Sequence, residues 1–113
     1  MVVYKKKAII KKTDSQDLSA AKLDMTTTFG KDWQLTGVYI HFDGNNSQTV
    51  TVTRNSTDGA NYDTVLKEET LSSATDFTFK PTEELLESGD EITLEVSTGG
   101  STTAYATIVG KEV

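Results

Sequence analysis

Apolar and polar residues alternate one for one in short runs along this chain, and that period constrains the fold more than any other feature. In Ile92-Thr93-Leu94-Glu95-Val96 the apolar side chains share one parity, and Glu91, Thr93 and Glu95 share the other. A period of two places one set in a core and the other in water, as in a half-buried β-strand. Residues 48–55 repeat the pattern with Val50 and Val52 inward, and residues 75–80 repeat it with Phe77 and Phe79 inward. Threonine fills many outward positions, and its branched Cβ suits a pleated surface. Within residues 18–29, Leu23, Met25, Thr27 and Phe29 alternate, and the run Thr26-Thr27-Thr28 disfavours the competing helical turn.

The segment 33–42 is the richest in large apolar residues. Trp33 and Leu35 lie on one parity, Val38, Ile40 and Phe42 on the other, with Gly37 at the switch. A β-bulge at Thr36-Gly37 would bring all five to one face; a strand covered on both faces is the alternative. Further strands are expected over residues 62–69 and 102–111, and residues 2–12 read as another strand or an extended arm. The predicted core comprises Trp33, Leu35, Val38, Ile40, Phe42, Val50, Val52, Phe77, Phe79, Ile92, Leu94 and Val96. Turn-rich stretches at 43–47, 56–61 and 97–101 predict three hairpins. Pro81, the glutamates after it and Gly89 predict one helical turn near residues 83–87, with Leu85 and Leu86 closing an end of the core.

Seven or eight short strands with turns between them predict an all-β fold, an antiparallel sandwich of jelly-roll or Greek-key type with one short helical turn. A chain of 113 residues suits one such domain. Residues 18–113 are expected to form it, with 1–17 as a basic N-terminal arm or edge strand.

Charge divides the chain in the same way. Lys5, Lys6, Lys7, Lys11 and Lys12 give the first twelve residues a charge of +5, whereas the rest carries six basic and 17 acidic side chains, a balance of −11. An acidic body argues against binding a phosphate backbone. No run approaches the roughly 20 apolar residues of a membrane span, and the lysine-interrupted N-terminus does not read as a secretion signal. The basic segment reads either as a solvated edge strand guarded against aggregation or as an arm that docks on an acidic neighbour, with Lys5, Lys6, Lys7, Ile9 and Ile10 in the contact.

Residue types for catalysis are scarce. There is no cysteine and a single histidine, His41, which falls on the outer parity of its strand beside Tyr39. Nucleophilic catalysis needs a base held beside a hydroxyl or thiol, and no such pattern is visible. The acidic doublets Glu68-Glu69, Glu83-Glu84 and Asp90-Glu91 point to opposite faces of an extended chain, which makes them poor pairs for glycoside hydrolysis. Two oxygen-rich turns, one with Asp43, Asn45 and Asn46 and one with Asp58, Asn61 and Asp63, read as side-chain-capped turns without the spacing of a known calcium loop. No enzyme, cofactor or metal site is expected. Tyr39, Tyr62 and Tyr105 are the candidate aromatics for a ligand, since a sugar site needs exposed rings beside polar groups.

The stretch from Asp32 to Ile92 resembles small minor structural proteins of tailed bacteriophage virions. The resemblance rests on Trp33-Gln34-Leu35 leading into Val38-Tyr39-Ile40-His41-Phe42, then Val50-Thr51-Val52-Thr53, Asn61-Tyr62-Asp63-Thr64-Val65-Leu66, Phe79-Lys80-Pro81, a Leu-rich turn, and Ser88-Gly89-Asp90-Glu91-Ile92. It implies a sandwich that decorates a capsid or belongs to a tail or neck, located in the virion after assembly in the host cytoplasm. It further implies partners among other virion proteins or copies of itself, as trimers or rings, reached by the N-terminal arm. A carbohydrate- or ligand-binding module is the alternative reading.

Overall fold

The computed structural model describes residues 9–113. Nine strands follow in order: β1 (Ile9–Asp17), β2 (Leu23–Thr27), β3 (Trp33–Asn46), β4 (Thr49–Asn55), β5 (Thr64–Thr70), β6 (Ala74–Phe79), β7 (Glu84–Leu86), β8 (Glu91–Val96) and β9 (Thr103–Glu112). They form two antiparallel sheets. Sheet A has the order β1-β9-β3-β6, with β7 continuing the β6 edge along the start of β3; sheet B has the order β2-β8-β4-β5. With β6 and β7 taken as two pieces of one edge strand, this is an eight-stranded double-sheet jelly roll, in which the first and last strands are neighbours.

Alternation sets the packing. Inward side chains from the two sheets meet in one core that includes Trp33, Leu35, Phe42, Val52, Ile92 and Leu94, all fully buried. Every predicted core residue is buried except Phe79, which is only half-buried on the edge strand β6. The bulge in β3 falls where the parity switch places it: Leu35 pairs with Gly110 and Gly37 with Val109, so Thr36 is the extra residue. Gly37 is also required by contact, because a Cβ there would lie 2.6 Å from the Tyr39 ring. Leu94 pairs with Met25 on one side and Val52 on the other. Its replacement by Ala should cost about 3 kcal/mol in urea unfolding; a loss under about 1 kcal/mol would mean that the inward face of β8 is misassigned.

Three local expectations are corrected. The turns at 43–47 and 97–101 do not close hairpins, because β3 and β4 lie in different sheets, as do β8 and β9. Residues 43–46 stay in β3, and the chain crosses between sheets at Ser47 and Gln48. Buried Asn46 organises that crossing: its Oδ1 accepts the Gln48 N–H (2.8 Å) and its Nδ2 donates to Thr102 Oγ1 (2.8 Å). Only the 56–61 turn joins paired strands, β4 and β5. The helical turn near 83–87 is instead β7, where Leu85 pairs with Gln34 and Leu86 with Trp33; unpaired edge groups of β3 draw this segment into the ladder. Leu86 is buried, but Leu85 points to solvent and does not close the core. The helical turn that does occur among the described residues is a 3-10 turn at Ala60–Tyr62.

Candidate functional site

The two outer faces of the sandwich differ in chemistry. On sheet A the registers place Ser15, Tyr105, His41 and Asp76 in one cross-strand row and Thr13, Thr107, Tyr39 and Thr78 in the next. Tyr39 and Tyr105 are therefore diagonal neighbours on one face. The Tyr39 ring lies over Gly37 with Lys80 Nζ 5.9 Å from its centroid, whereas Tyr105 is half-exposed beside a shallow depression of about 470 Å³ shared with Thr13, Ser15 and Thr107. His41 Nδ1 donates to Asp76 Oδ1 (3.1 Å), which requires the ring proton on that nitrogen. This bond, with one from Thr75, holds the Asp76 carboxyl below its ordinary range. Tyr62 is exposed in the 3-10 turn between β4 and β5, away from the other two tyrosines.

Sheet B presents threonines and acids. Thr26 and Thr93 share a hydroxyl hydrogen bond of 2.9 Å, and Asn55 Nδ2 donates to Thr93 (2.6 Å). The next row carries Asp24, Glu95, Thr51 and Glu68. Asp24 and Glu95 stand directly opposite each other, a repulsive arrangement. Lys22 offsets it, with its Nζ 3.1 Å from Glu95 and 3.9 Å from Asp24. The pairing to Glu95, then to Asp24, raises the Lys22 pKa.

β1 carries the described part of the basic segment. It pairs with β9 from Ile9↔Lys111 to Asp17↔Thr103 at the edge of sheet A. Ile9 is strongly exposed on the outer face and Ile10 is half-buried on the inner one. Lys12 and Asp14 share the inner parity with Ile10 yet remain exposed, so the strand buries little along most of its length. Lys5, Lys6 and Lys7 lie outside the described residues.

One end of the sandwich holds a polar network that sequence spacing does not reveal. Arg54 Nη1 donates to Glu84 and its Nη2 to Asp90, both at 3.1 Å. Asp90 is 2% exposed and also accepts backbone N–H bonds from Thr57 (3.0 Å) and Glu87 (3.1 Å). Burial pushes this carboxyl up, but the two backbone donors and the Arg54 guanidinium outweigh it and leave the pKa lowered. The network ties β4 to β7 and to the loop before β8. Beside it lies a groove of about 280 Å³ lined by Asp32, Trp33, Arg54, Leu85, Leu86, Glu87 and Val113. Among the described residues, no three histidine, aspartate or glutamate side chains gather closely enough to hold a metal ion. The two oxygen-rich turns use their side chains internally: Asp43 accepts from Thr103 N–H and Asp63 from Ser56 N–H.

Together these features define a jelly-roll domain whose distinctive chemistry is spread over faces and edges, not gathered in one deep cleft. No protein family model and no curated protein matches the chain. Among solved structures, it is similar to Bacillus endospore appendages, described as a novel family of disulfide-linked pili, with a TM-score of 0.55 at 12% identity. That superposition covers 100% of this chain and 95% of the other. A structure of the infectious bursal disease virus Gx strain gives a TM-score of 0.46 at 12% identity, over 96% of this chain and 33% of that one. At such identity the likeness to the appendage subunit is one of fold.

Proposed function

We propose that this chain is a structural subunit that works by assembling with copies of itself, and that its setting is a tailed-phage virion, as a capsid decoration or a tail or neck component. The observation that carries the assembly reading is the segregation of charge. Five lysines crowd the first twelve residues, while acids occupy the outer face of sheet B and the end of the sandwich around Asp32 and Glu87. Opposite charge concentrated in separate stretches of one sequence favours head-to-tail contact between copies. A fold shared with a pilus subunit supports the same reading. The 113 residues contain no cysteine, so any assembly they make lacks the disulfide links named for those pili.

Sedimentation at rising salt tests this. Self-association should be strongest at about 50 mM salt and weaken markedly by about 500 mM, where the screening length falls to a few ångströms. A chain that stays monomeric at low salt and high concentration would sink the assembly reading. Co-purification with virions would support the phage setting, and its absence from particles would remove that setting alone.

A second reading, a carbohydrate-binding module, draws on Tyr39 and Tyr105 sharing one hydroxyl-rich face of sheet A. Oligosaccharide binding that depends on Tyr105, in a chain that does not assemble, would favour it over the first.

A further inference from the structure

We infer that the groove at the Trp33 end of the sandwich receives residues 1–4 of a neighbouring copy, so that the basic segment is anchored by the apolar tetrad that precedes its lysines. The inference rests on the assembly reading above and names its contact. The groove is small for a ligand pocket and suits one or two side chains. Leu85 and Val113 flank it at 54% and 60% exposure, next to buried Trp33 and Leu86. These are apolar surfaces that the described residues leave exposed, and covering them is favourable.

The occupant is chosen by composition. Residues 1–4 read Met-Val-Val-Tyr, an apolar tetrad followed at once by Lys5, Lys6 and Lys7. The groove has the complementary order, an apolar floor bounded by Asp32 and Glu87, while Arg54 in its lining is neutralised by Glu84 and Asp90. The apolar tetrad in the groove places the lysines against Asp32 and Glu87, where the charges orient the encounter and the apolar contact holds it.

Geometry and charge together favour a second copy over the same chain. Ile9, Lys111, Gln34 and Leu85 form one cross-strand row, so the chain enters β1 three strand spacings, about 14 Å, from the groove. Five extended residues span about 17 Å, so a chain could reach its own groove only by laying its lysines nearly straight across this face. That path passes over Lys111, with Lys11 beside it, and sets like charges together. A segment arriving from a neighbour avoids that path and meets Asp32 and Glu87, the one cation in the lining, Arg54, being engaged by Glu84 and Asp90.

The absence of cysteine permits a clean test in the full chain. Val3→Cys chains are mixed with Leu85→Cys chains under mild oxidation, and Val3→Cys chains are mixed separately with Thr51→Cys chains. Leu85 is exposed and Thr51 lies on the outer face of sheet B, so neither change disturbs the core. The expected result is a disulfide-joined two-chain product with Leu85→Cys and little with Thr51→Cys. Leu85→Asp should also weaken self-association about tenfold, the scale of a central interface contact. Preferential coupling to Thr51→Cys would overturn the inference by moving the contact to the acidic sheet face. Coupling confined to single chains of a Val3→Cys, Leu85→Cys double variant would overturn it in favour of self-docking. Assembly that persists without coupling to Leu85→Cys overturns the groove alone, whereas a chain monomeric under all conditions overturns the assembly reading and the groove with it.

Discussion

Replacing Asp90 with Ala should cost about 3–5 kcal/mol in urea unfolding at neutral pH, the scale for losing one partner of a buried ion pair. The carboxylate accepts from Arg54 and from two backbone N–H groups, and nothing else within the network can take over all three. Arg54 keeps Glu84, so the loss falls mainly on the Thr57 and Glu87 amides, each costing about 1–3 kcal/mol if left unpaired. The same group gives a pH signature. Its folded pKa lies below the ordinary carboxylate value, so the folded state binds this proton less readily than the unfolded chain does. Its contribution is therefore fully present above about pH 4 and is lost as pH falls through the lower folded pKa. The stability gap between the natural chain and Asp90→Asn should be widest at neutral pH and narrow in acid. A gap that is flat across pH 2–7 would mean that the carboxylate is not ionised in this network.

Trp33→Ala should cost a similar amount, about 3–5 kcal/mol, seen as a fall in thermal midpoint. The indole is fully buried at the start of β3, meets Phe29 edge-to-face at 4.3 Å between centroids, and lies against Gly110, where a Cβ would come within 2.7 Å of it. Its truncation opens a cavity where β3, β7 and β9 converge. The indole Nε1–H has no acceptor among the described residues. Trp33→Phe removes that unpaired donor while keeping an aromatic ring, so it should cost less than about 1.5 kcal/mol. Equal losses for the two variants would show that hydrogen bonding, not packing, is what the indole supplies.

Strands were legible where a residue pattern speaks only of its own segment. Ile92, Leu94 and Val96 announce a buried face without reference to any partner, and the parity switch at Gly37 locates a bulge from one segment. What was not legible depends on which strand lies alongside. Asp43-Gly44-Asn45-Asn46 and Gly99-Gly100 signal reversals of direction, but turn chemistry is silent on whether the returning strand joins the same sheet. Pro81 through Gly89 has the local marks of a helical turn, and pairing with Trp33 and Leu35 overrides them. β9 is legible as a strand, but three of its inward residues, Ala104, Ala106 and Gly110, are small, and beside Ile108 they give a weak apolar signal for its central place in sheet A. Candidate sites followed the same rule. Tyr39 and Tyr105 become neighbours only through the pairing of β3 with β9, and Arg54 meets Asp90 across 36 residues with no local pattern to mark the bond.

The order of strands in sheet A also has a consequence in time. β9 lies between β1 and β3, so the first strand made has no neighbour in its sheet until the last has left the ribosome. Six of the eight connections pass between sheets, and most pairings join residues far apart in sequence. Such non-local topology folds slowly, since loop closure comes before its reward. Sheet A therefore cannot close until β9 has emerged, and β1 waits through that interval as a free strand. Lys11 on the outward parity and Lys12 on the inward one suit that wait, because a charge on each face leaves no wholly apolar surface along which another copy could pair.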